Sequence, residues 1–597
     1  MAKPSVTYSQ KLNALRAQMK NRNLDAYIIP RADEFQGEFV APYAERLKWL
    51  TGFSGSGGVA LVFQKKALVL TDGRYLIQVQ AQADNALFDT GEYMKKNAAM
   101  WLAENLGEGS VVGYDPYLHT PKQIEAFEQE CRKKGAVLKA IDGNLIDAVW
   151  EDQPPRPQGK VTVFPDQIAG VSAKHKIKNL VAEINDNNAQ AYILALPDSI
   201  AWLLNVRGSD IDYIPSVLSY LLVSRRGNVR WFVDPDKVGK TVRKAIGKNV
   251  TICAPRDMSV QFMALAQESA EKERPVLMDM RHTPVQLKKM LEQRGAIVRD
   301  HTDPTIAPKA RKTNEETTAI RKAHVEDGVA LVKFLKWLEE NGAGESEMSV
   351  TDKLKSFRMQ SKAFKGNSFP TIAGFGANGA IVHYRASEQT NAKLEEGNLL
   401  LIDSGGQYAI DDIYGTTDIT RTIAIGKPSQ AMRESNTRVL KGHIGVAQAR
   451  FPRGTVGAQI DALARKPLWD ADCDFAHGTG HGVGCYLAVH EDAANISPRG
   501  QTAFEPGMLI SNEPGYYEEN AYGIRIENLV IVHEQKHMLF FETISYAPLD
   551  RTLIVTEMLS EQERAWVNNY HKKVYDNVSP LLDVEHSEWL QAKTKAL

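Results

Sequence analysis

Four apolar, strand-like runs in the C-terminal half of this chain end in a carboxylate or contain one. "GNLLLIDSGGQYA" drives into Asp403, and "GMLISNEPGYY" drives into Glu513. "YGTTDITRTIAIG" alternates, which sets Thr416, Asp418, Thr420 and Thr422 on one strand face. "YGIRIENLVIV" holds Glu527 inside an otherwise apolar β stretch, with Arg525 on the same face two residues earlier. An ionised carboxylate is costly to bury unless it is paired or bound to a cation. A fold that buries four must place positive charge among them. Arg525 can neutralise one. Divalent cations suit the rest, and carboxylates with one imidazole favour a hard or borderline metal such as Mn, Co or Zn. Four carboxylates and a single His fit two ions bridged by shared carboxylates.

The imidazole has an obvious source. "AHGTGHGVGCYLAVHE" carries His477, His481 and His490 among Gly478, Gly480, Gly482 and Gly484. His477 and His481 have helical i, i+4 spacing. Each interior glycine, however, costs a helix about 1 kcal/mol relative to Ala. The stretch reads better as a loop entering an extended segment that a second backbone or a ligand approaches closely. The two histidines then need not point the same way: one could bind a metal and the other a substrate.

The remainder of the chain gives the setting. Its 597 residues suggest several domains. A formal net charge of −1 gives no electrostatic footprint for nucleic acid or a membrane surface. The 4 cysteines lie far apart with no CxxC pair, which fits a reducing compartment. The N-terminus shows Leu12, Leu15 and Met19 on one face of an amphipathic helix rather than a signal peptide. No apolar run is long enough to span a membrane, so a cytoplasmic protein is expected. Pro154, Pro155 and Pro157 mark an extended connector. A second break falls around 300–315, beyond which Thr313 and Glu316 form a capping box for a helix ending near Gly342. The two segments before that break look duplicated. "DAYIIP" resembles "QAYILALP", each is followed by Trp-Leu (Trp49-Leu50 and Trp202-Leu203), and "ALVLTDGRY" parallels "VRWFVDPDK".

In chain order, Asp403, Asp418, His481, Glu513 and Glu527 match the five metal ligands of the pita-bread metallopeptidases. "DSGGQY", "GTTDITRT", "HGTGHGVG", "NEPGYY" and "GIRIEN" resemble the framing sequences of the Xaa-Pro aminopeptidase (aminopeptidase P) family, and "PTIAGFGANGAIVHY" at 370–384 extends the match to His383. The resemblance covers the whole chain and points to the long, three-domain cytosolic form. It implies an α/β and α+β architecture: two related creatinase-like α/β domains, 1–155 and 156–307, followed by a pita-bread (duplicated α+β) catalytic domain, 308–597. It implies two divalent ions, Mn(2+) first with Co or Zn as alternatives. Asp418 and Glu527 would bridge them, Asp403 would serve mainly one ion, and His481 and Glu513 the other. A hydroxide held between the ions would attack the carbonyl of residue one, with Glu513 passing the proton to the leaving proline nitrogen. His477, Tyr517 and Arg525 would line the proline side, and His383 and His490 would contact the substrate carbonyl. The implied reaction releases the first residue from peptides with proline second, by a homodimer. A prolidase, cleaving X-Pro dipeptides, is the alternative on the same ligand set. The long N-terminal half speaks against a methionine aminopeptidase, and the full ligand set against a metal-free binding relative. One departure is the longer hairpin "GGQYAIDDIYGTTD" between the two ligand aspartates, whose Asp411 and Asp412 match no ligand.

Overall fold

The computed structural model describes residues 6–94 and 96–597. The chain forms two compact units. One comprises the chain up to 163 with 172–212 and 216–305; the other comprises 164–171, 213–215 and 306–597.

The first unit opens on the expected amphipathic helix, Tyr8–Asn21, which buries Leu12, Leu15 and Met19. Six strands follow: β1 (Ala26–Pro30), β2 (Val59–Phe63), β3 (Ala67–Thr71), β4 (Asp89–Glu92), β5 (Val111–Tyr114) and β6 (Val137–Ala140). They order as β4-β3-β2-β1-β5-β6. The β1–β2 and β2–β3 pairs are antiparallel; β3–β4, β1–β5 and β5–β6 are parallel. β1 is apolar without alternation because both faces of the sheet are covered. Tyr27 and Ile29 enter one core, Ala26 and Ile28 another. After the proline connector, where residues 153–160 lie outside any helix or strand, the plan repeats. Strands β7 (Ala191–Leu194), β8 (Tyr220–Ser224), β9 (Val229–Phe232), β10 (Val250–Cys253), β11 (Val276–Met278) and β12 (Val298–Asp300) order as β10-β9-β8-β7-β11-β12. Each pair has the direction of its counterpart. "DAYIIP" and "QAYILALP" supply β1 and β7, and "ALVLTDGRY" and "VRWFVDPDK" supply β3 and β9, so the duplication extends to topology.

In the second unit the long helix α1 (Asn314–Asn341) is capped as expected. The N–H of Glu316 donates to the Thr313 hydroxyl at 3.1 Å, and the N–H of Thr313 donates to the Glu316 carboxylate at 3.0 Å. α2 (Glu347–Arg358) packs on α1. The strands that follow are β13 (Phe364–Asn367), β14 (Ile372–Phe375), β15 (Asn398–Ser404), β16 (Gly406–Ile410), β17 (Ile413–Thr416) and β18 (Ile419–Ile425). They form two antiparallel sheets, β14-β15-β18 and β13-β16-β17. A second helix pair, α3 (Gln430–Ala447) and α4 (Gly457–Trp469), precedes the remaining strands: β19 (Arg450–Pro452, between the two helices), β20 (Gly480–Gly482), β21 (Glu491–Ile496), β22 (Leu509–Asn512), β23 (Gly515–Glu518), β24 (Tyr522–Arg525), β25 (Asn528–Gln535) and β26 (Met538–Thr543). Six of these make an antiparallel sheet, β19-β26-β25-β22-β20-β21, and β23 pairs with β24. A helix pair with an antiparallel sheet thus occurs twice, the expected duplicated α+β arrangement. Among the described residues no helix is long and apolar enough to cross a membrane, and no two cysteines are joined.

Candidate metal centre

β15 and β18 run antiparallel and pair Asp403 with Thr420. Between them the chain leaves this sheet, forms the β16–β17 hairpin in the neighbouring sheet, and returns. Asp403 stands just before the departure and Asp418 just at the return. The backbones touch at this crossing: a Cβ on Gly405 would lie 1.9 Å from the Thr417 carbonyl oxygen. The continuous alternating strand expected from Thr416 to Thr422 is therefore broken at Thr417–Asp418. Thr416 belongs to the other sheet, where its hydroxyl donates to Gln407 at 2.9 Å. Thr420 and Thr422 do share a face of β18. Glu527 also differs from expectation. It lies in the break between β24 and β25, not inside a strand. Its N–H donates to the Thr420 carbonyl at 3.2 Å, and its Oε2 accepts from the Thr420 hydroxyl at 2.7 Å. Outside a ladder, both carboxylates turn toward the neighbouring strands.

The glycine-rich stretch is a loop entering the short strand β20, as read. A Cβ on Gly480 would lie 1.9 Å from the Ser511 carbonyl oxygen, so only glycine allows β22 this close. The His481 N–H donates to Ser511 Oγ at 2.9 Å, and the Ser511 hydroxyl donates to Glu513 Oε1 at 3.1 Å. His481 Nδ1 lies 3.0 Å from the Gly482 carbonyl oxygen. That contact fixes a proton on Nδ1 and turns Nε2 inward. Nε2 is 3.5 Å from Asp418 Oδ2 and 3.4 Å from Glu513 Oε1. Ligand-type atoms of Asp418, His481 and Glu527 all lie within 4.8 Å of one another.

Buried together, these groups hold negative charge at a cost. Burial pushes the Glu527 carboxyl far above the carboxylate range, and the charges of Asp418, Glu513 and Asp403 push it further. Burial also raises Asp403, against the pull of Arg525. Burial favours a neutral His481, but the Asp418 and Glu513 carboxylates outweigh it and hold the ring up to about 9. The cluster therefore gathers either protons or cations. An oxygen-rich set with one imidazole, already converging, suits a divalent cation.

Arg525 is the internal counter-charge. Its Nη2 donates to Asp403 Oδ2 at 2.7 Å and its Nη1 to the Tyr517 hydroxyl at 2.8 Å. Tyr517 in turn lies 2.8 Å from His477 Nε2. His477 Nδ1 contacts the Gly478 carbonyl at 2.7 Å, and burial lowers the ring to about 4. The neutral ring accepts from Tyr517. His477, Tyr517 and Arg525 thus form one chain of contacts ending on Asp403, and His477 and His481 face different partners. His383 is half-buried, and the carbonyl of its neighbour Val382 is 3.5 Å from Arg525 Nη1. His490 is exposed, with its ring centroid 4.3 Å from that of His481. It lies in a bend before β21, while the next residue, Glu491, pairs with Lys312 in the interior.

Several supporting roles escaped the sequence reading. Thr420 and Ser511 orient Glu527, Glu513 and His481. On α4, Asp461 accepts from the Thr479 hydroxyl at 2.7 Å, and Arg465 donates to the His477 carbonyl at 2.7 Å and to Asp461 at 2.7 Å. The available signal was an i, i+4 Asp–Arg pair on the helix preceding the glycine loop.

Asp411 and Asp412 form the two-residue turn between the paired Ile410 and Ile413. Asp411 is at φ +50°, and the exposed Asp412 pairs with Lys322 of α1. The double variant Asp411→Asn, Asp412→Ala, which keeps a residue tolerant of positive φ, should change kcat/KM by less than about threefold. Its bound metal should match the wild type. Loss of one metal equivalent would show that these carboxylates, not those above, are ligands.

The Creatinase/Prolidase N-terminal domain matches this chain twice, at residues 11–149 and 152–316. Metallopeptidase family M24 matches 318–534, and the C-terminal region of peptidase M24 matches 537–597. The chain belongs to metallopeptidase family M24. It is 37% identical to a Probable Xaa-Pro aminopeptidase P of Paracoccidioides brasiliensis (strain Pb03), over 99% of this chain and 100% of that protein. It is also 37% identical to a Probable Xaa-Pro aminopeptidase P of Aspergillus niger, over 99% of each. Among solved structures, X-prolyl aminopeptidase from Caenorhabditis elegans, described as a cytosolic enzyme with a di-nuclear active site, is 32% identical with a TM-score of 0.93, covering 99% of this chain and 100% of that one. Xaa-Pro dipeptidase from Bacillus anthracis shares the fold, at 24% identity and a TM-score of 0.53 over 63% of this chain and 99% of its own.

Proposed function

We propose that this protein is a metal-dependent exopeptidase, an Xaa-Pro aminopeptidase that releases the first residue from peptides with proline second. The observation that carries this reading is the convergence of Asp418, His481 and Glu527 on one point, beside Asp403, Glu513 and the His477–Tyr517–Arg525 chain. The full-length likeness to proteins named Xaa-Pro aminopeptidase supports it.

Asp403, Asp418, His481, Glu513 and Glu527 would hold two divalent ions. The donor set favours Mn(2+), with Co or Zn as alternatives. When bound, such ions make water nucleophilic at neutral pH and stabilise the charge that develops on the attacked carbonyl. The protein's own groups supply order. Thr420 fixes Glu527, Ser511 ties Glu513 to the His481 backbone, and Arg525 restrains Asp403. Glu513, only half-buried, carries the proton to the leaving nitrogen. His383 and His490 contact the substrate carbonyl. His477, Tyr517 and Arg525 wall the proline side. An X-Pro bond leaves a nitrogen without N–H, so this site recognises the ring by shape and needs no hydrogen bond from it.

The division into 1–155, 156–307 and 308–597 is proposed as well, supported by the repeated sheet order. Cytoplasmic residence is supported by the cytosolic description of the C. elegans enzyme. A homodimer is proposed from family resemblance. A single assay comparing X-Pro-Y tripeptides with X-Pro dipeptides tests the activity. The tripeptide should be turned over at least about tenfold faster, a difference of about 1.4 kcal/mol in transition-state binding. Preference for the dipeptide would make the protein a prolidase.

A further inference from the structure

Helices α1 and α2 meet in a buried ion pair. Asp327 on α1 accepts from Arg358 Nε at 2.7 Å and Nη2 at 3.2 Å, and the two side chains are 3% and 0% exposed. The pair's other hydrogen bonds converge on the sheet crossing. Arg358 Nη2 donates to Ser404 Oγ at 3.1 Å, at the residue after Asp403. The Thr417 hydroxyl, at the residue before Asp418, donates to Asp327 Oδ2 at 2.9 Å. Tyr408 of β16 donates to Asp327 Oδ1 at 2.7 Å.

The crossing needs such support. The β15–β18 ladder ends with Ser404 opposite Ile419, and the β16–β17 ladder begins with Gln407 opposite Thr416. Gly405, Thr417 and Asp418 lie between two ladders, held by local contacts. These are the Thr417 N–H to the Gly406 carbonyl, the Gly406 N–H to the Thr417 hydroxyl at 2.9 Å, and the Ser368 hydroxyl to the Thr417 carbonyl at 2.8 Å. Stability alone is a weak reason for the ion pair, because apolar side chains of similar volume in such places are often as stable or more so. What the pair does is address the residues flanking both aspartates from one rigid point. We propose that Asp327 and Arg358 are positioning residues that set the spacing of Asp403 and Asp418, and through it the affinity of the centre for its cations. The proposal rests on the reading of those aspartates as ligands.

The test uses the full chain stripped by chelator and titrated calorimetrically with Mn(2+). The Asp327→Leu, Arg358→Met double variant replaces the ion pair by an apolar one. Outer partners of metal ligands typically set affinity by about 10–100-fold, so at least one Mn(2+) site should weaken about tenfold or more. Saturating Mn(2+) should restore kcat. Ser404→Ala and Thr417→Val each break one link and should weaken binding in the same direction. A lowered melting temperature of the metal-free protein with unchanged Mn(2+) affinity would assign the pair a structural role and overturn the proposal. If the double variant does not fold, unchanged affinity in both Ser404→Ala and Thr417→Val overturns it equally. Asp403→Asn, measured alongside, separates the two levels. Retention of both metal equivalents there defeats the ligand reading itself, whatever Asp327 does.

Discussion

Asp418→Asn should abolish peptide hydrolysis and bound metal while leaving the metal-free protein folded. Asparagine keeps the shape of the side chain and removes its charge. Asp418 supplies one of the three converging donor atoms and lies 3.5 Å from His481 Nε2. Its loss takes away both a ligand and the negative charge that makes the site attractive to a cation. The fall in kcat/KM should reach about 10³-fold or more, the scale of losing preorganised charge stabilisation at the reacting carbonyl. The stability effect should be small. After burial, the Asp418 charge is the largest influence raising Glu527, and with Glu513 it holds the His481 ring up to about 9. Its removal relieves repulsion on one neighbour and takes attraction from the other, and the metal-free fold should stay close to wild-type stability. Elemental analysis, a thermal melt after chelation and turnover of an X-Pro-Y peptide read the three effects separately. Two metal equivalents with near-normal turnover would remove Asp418 from the centre.

The carboxylates were legible because each interrupts an apolar run, and interruption of that kind reports burial with a partner. Arg525 was legible as that partner for the same reason, and the structure pairs it with Asp403. The glycines announced the close approach of Ser511 to Gly480, and the Thr313–Glu316 box announced α1. The breaks were not legible. Alternation from Thr416 to Thr422 continues in the sequence although the chain changes sheet at Thr417–Asp418, because a period of two records which side is buried and not which ladder is joined. Ile526 and Glu527 look like strand residues for the same reason. Asp327 and Arg358 were missed because each sits on a helix far in sequence from Asp403 and Asp418, and Asp461 and Arg465 because an i, i+4 charged pair on a helix reads first as an exposed one. A charged residue on an amphipathic helix gives no sign of whether it faces solvent or a buried partner.

Specificity should be as sharp as metal dependence. Shape alone gives a pocket about 1–3 kcal/mol per methylene-sized difference. Proline adds a ring that can fill the wall formed by His477 and Tyr517, and its nitrogen brings no N–H that would need a partner. Together these should favour X-Pro-Y over X-Ala-Y by about 100-fold or more in kcat/KM. The contacts from His477 through Tyr517 and Arg525 to Asp403 tie the pocket to the metal site, so recognition and catalysis should fail together. The most direct measurement assays both peptides side by side, first with the chelator-stripped full chain and then after reloading with Mn(2+). The expected result is no hydrolysis of either peptide when stripped, and recovery on reloading that is confined almost wholly to X-Pro-Y. Hydrolysis that survives complete removal of metal, or X-Ala-Y cleaved as fast as X-Pro-Y by the loaded protein, would contradict the account.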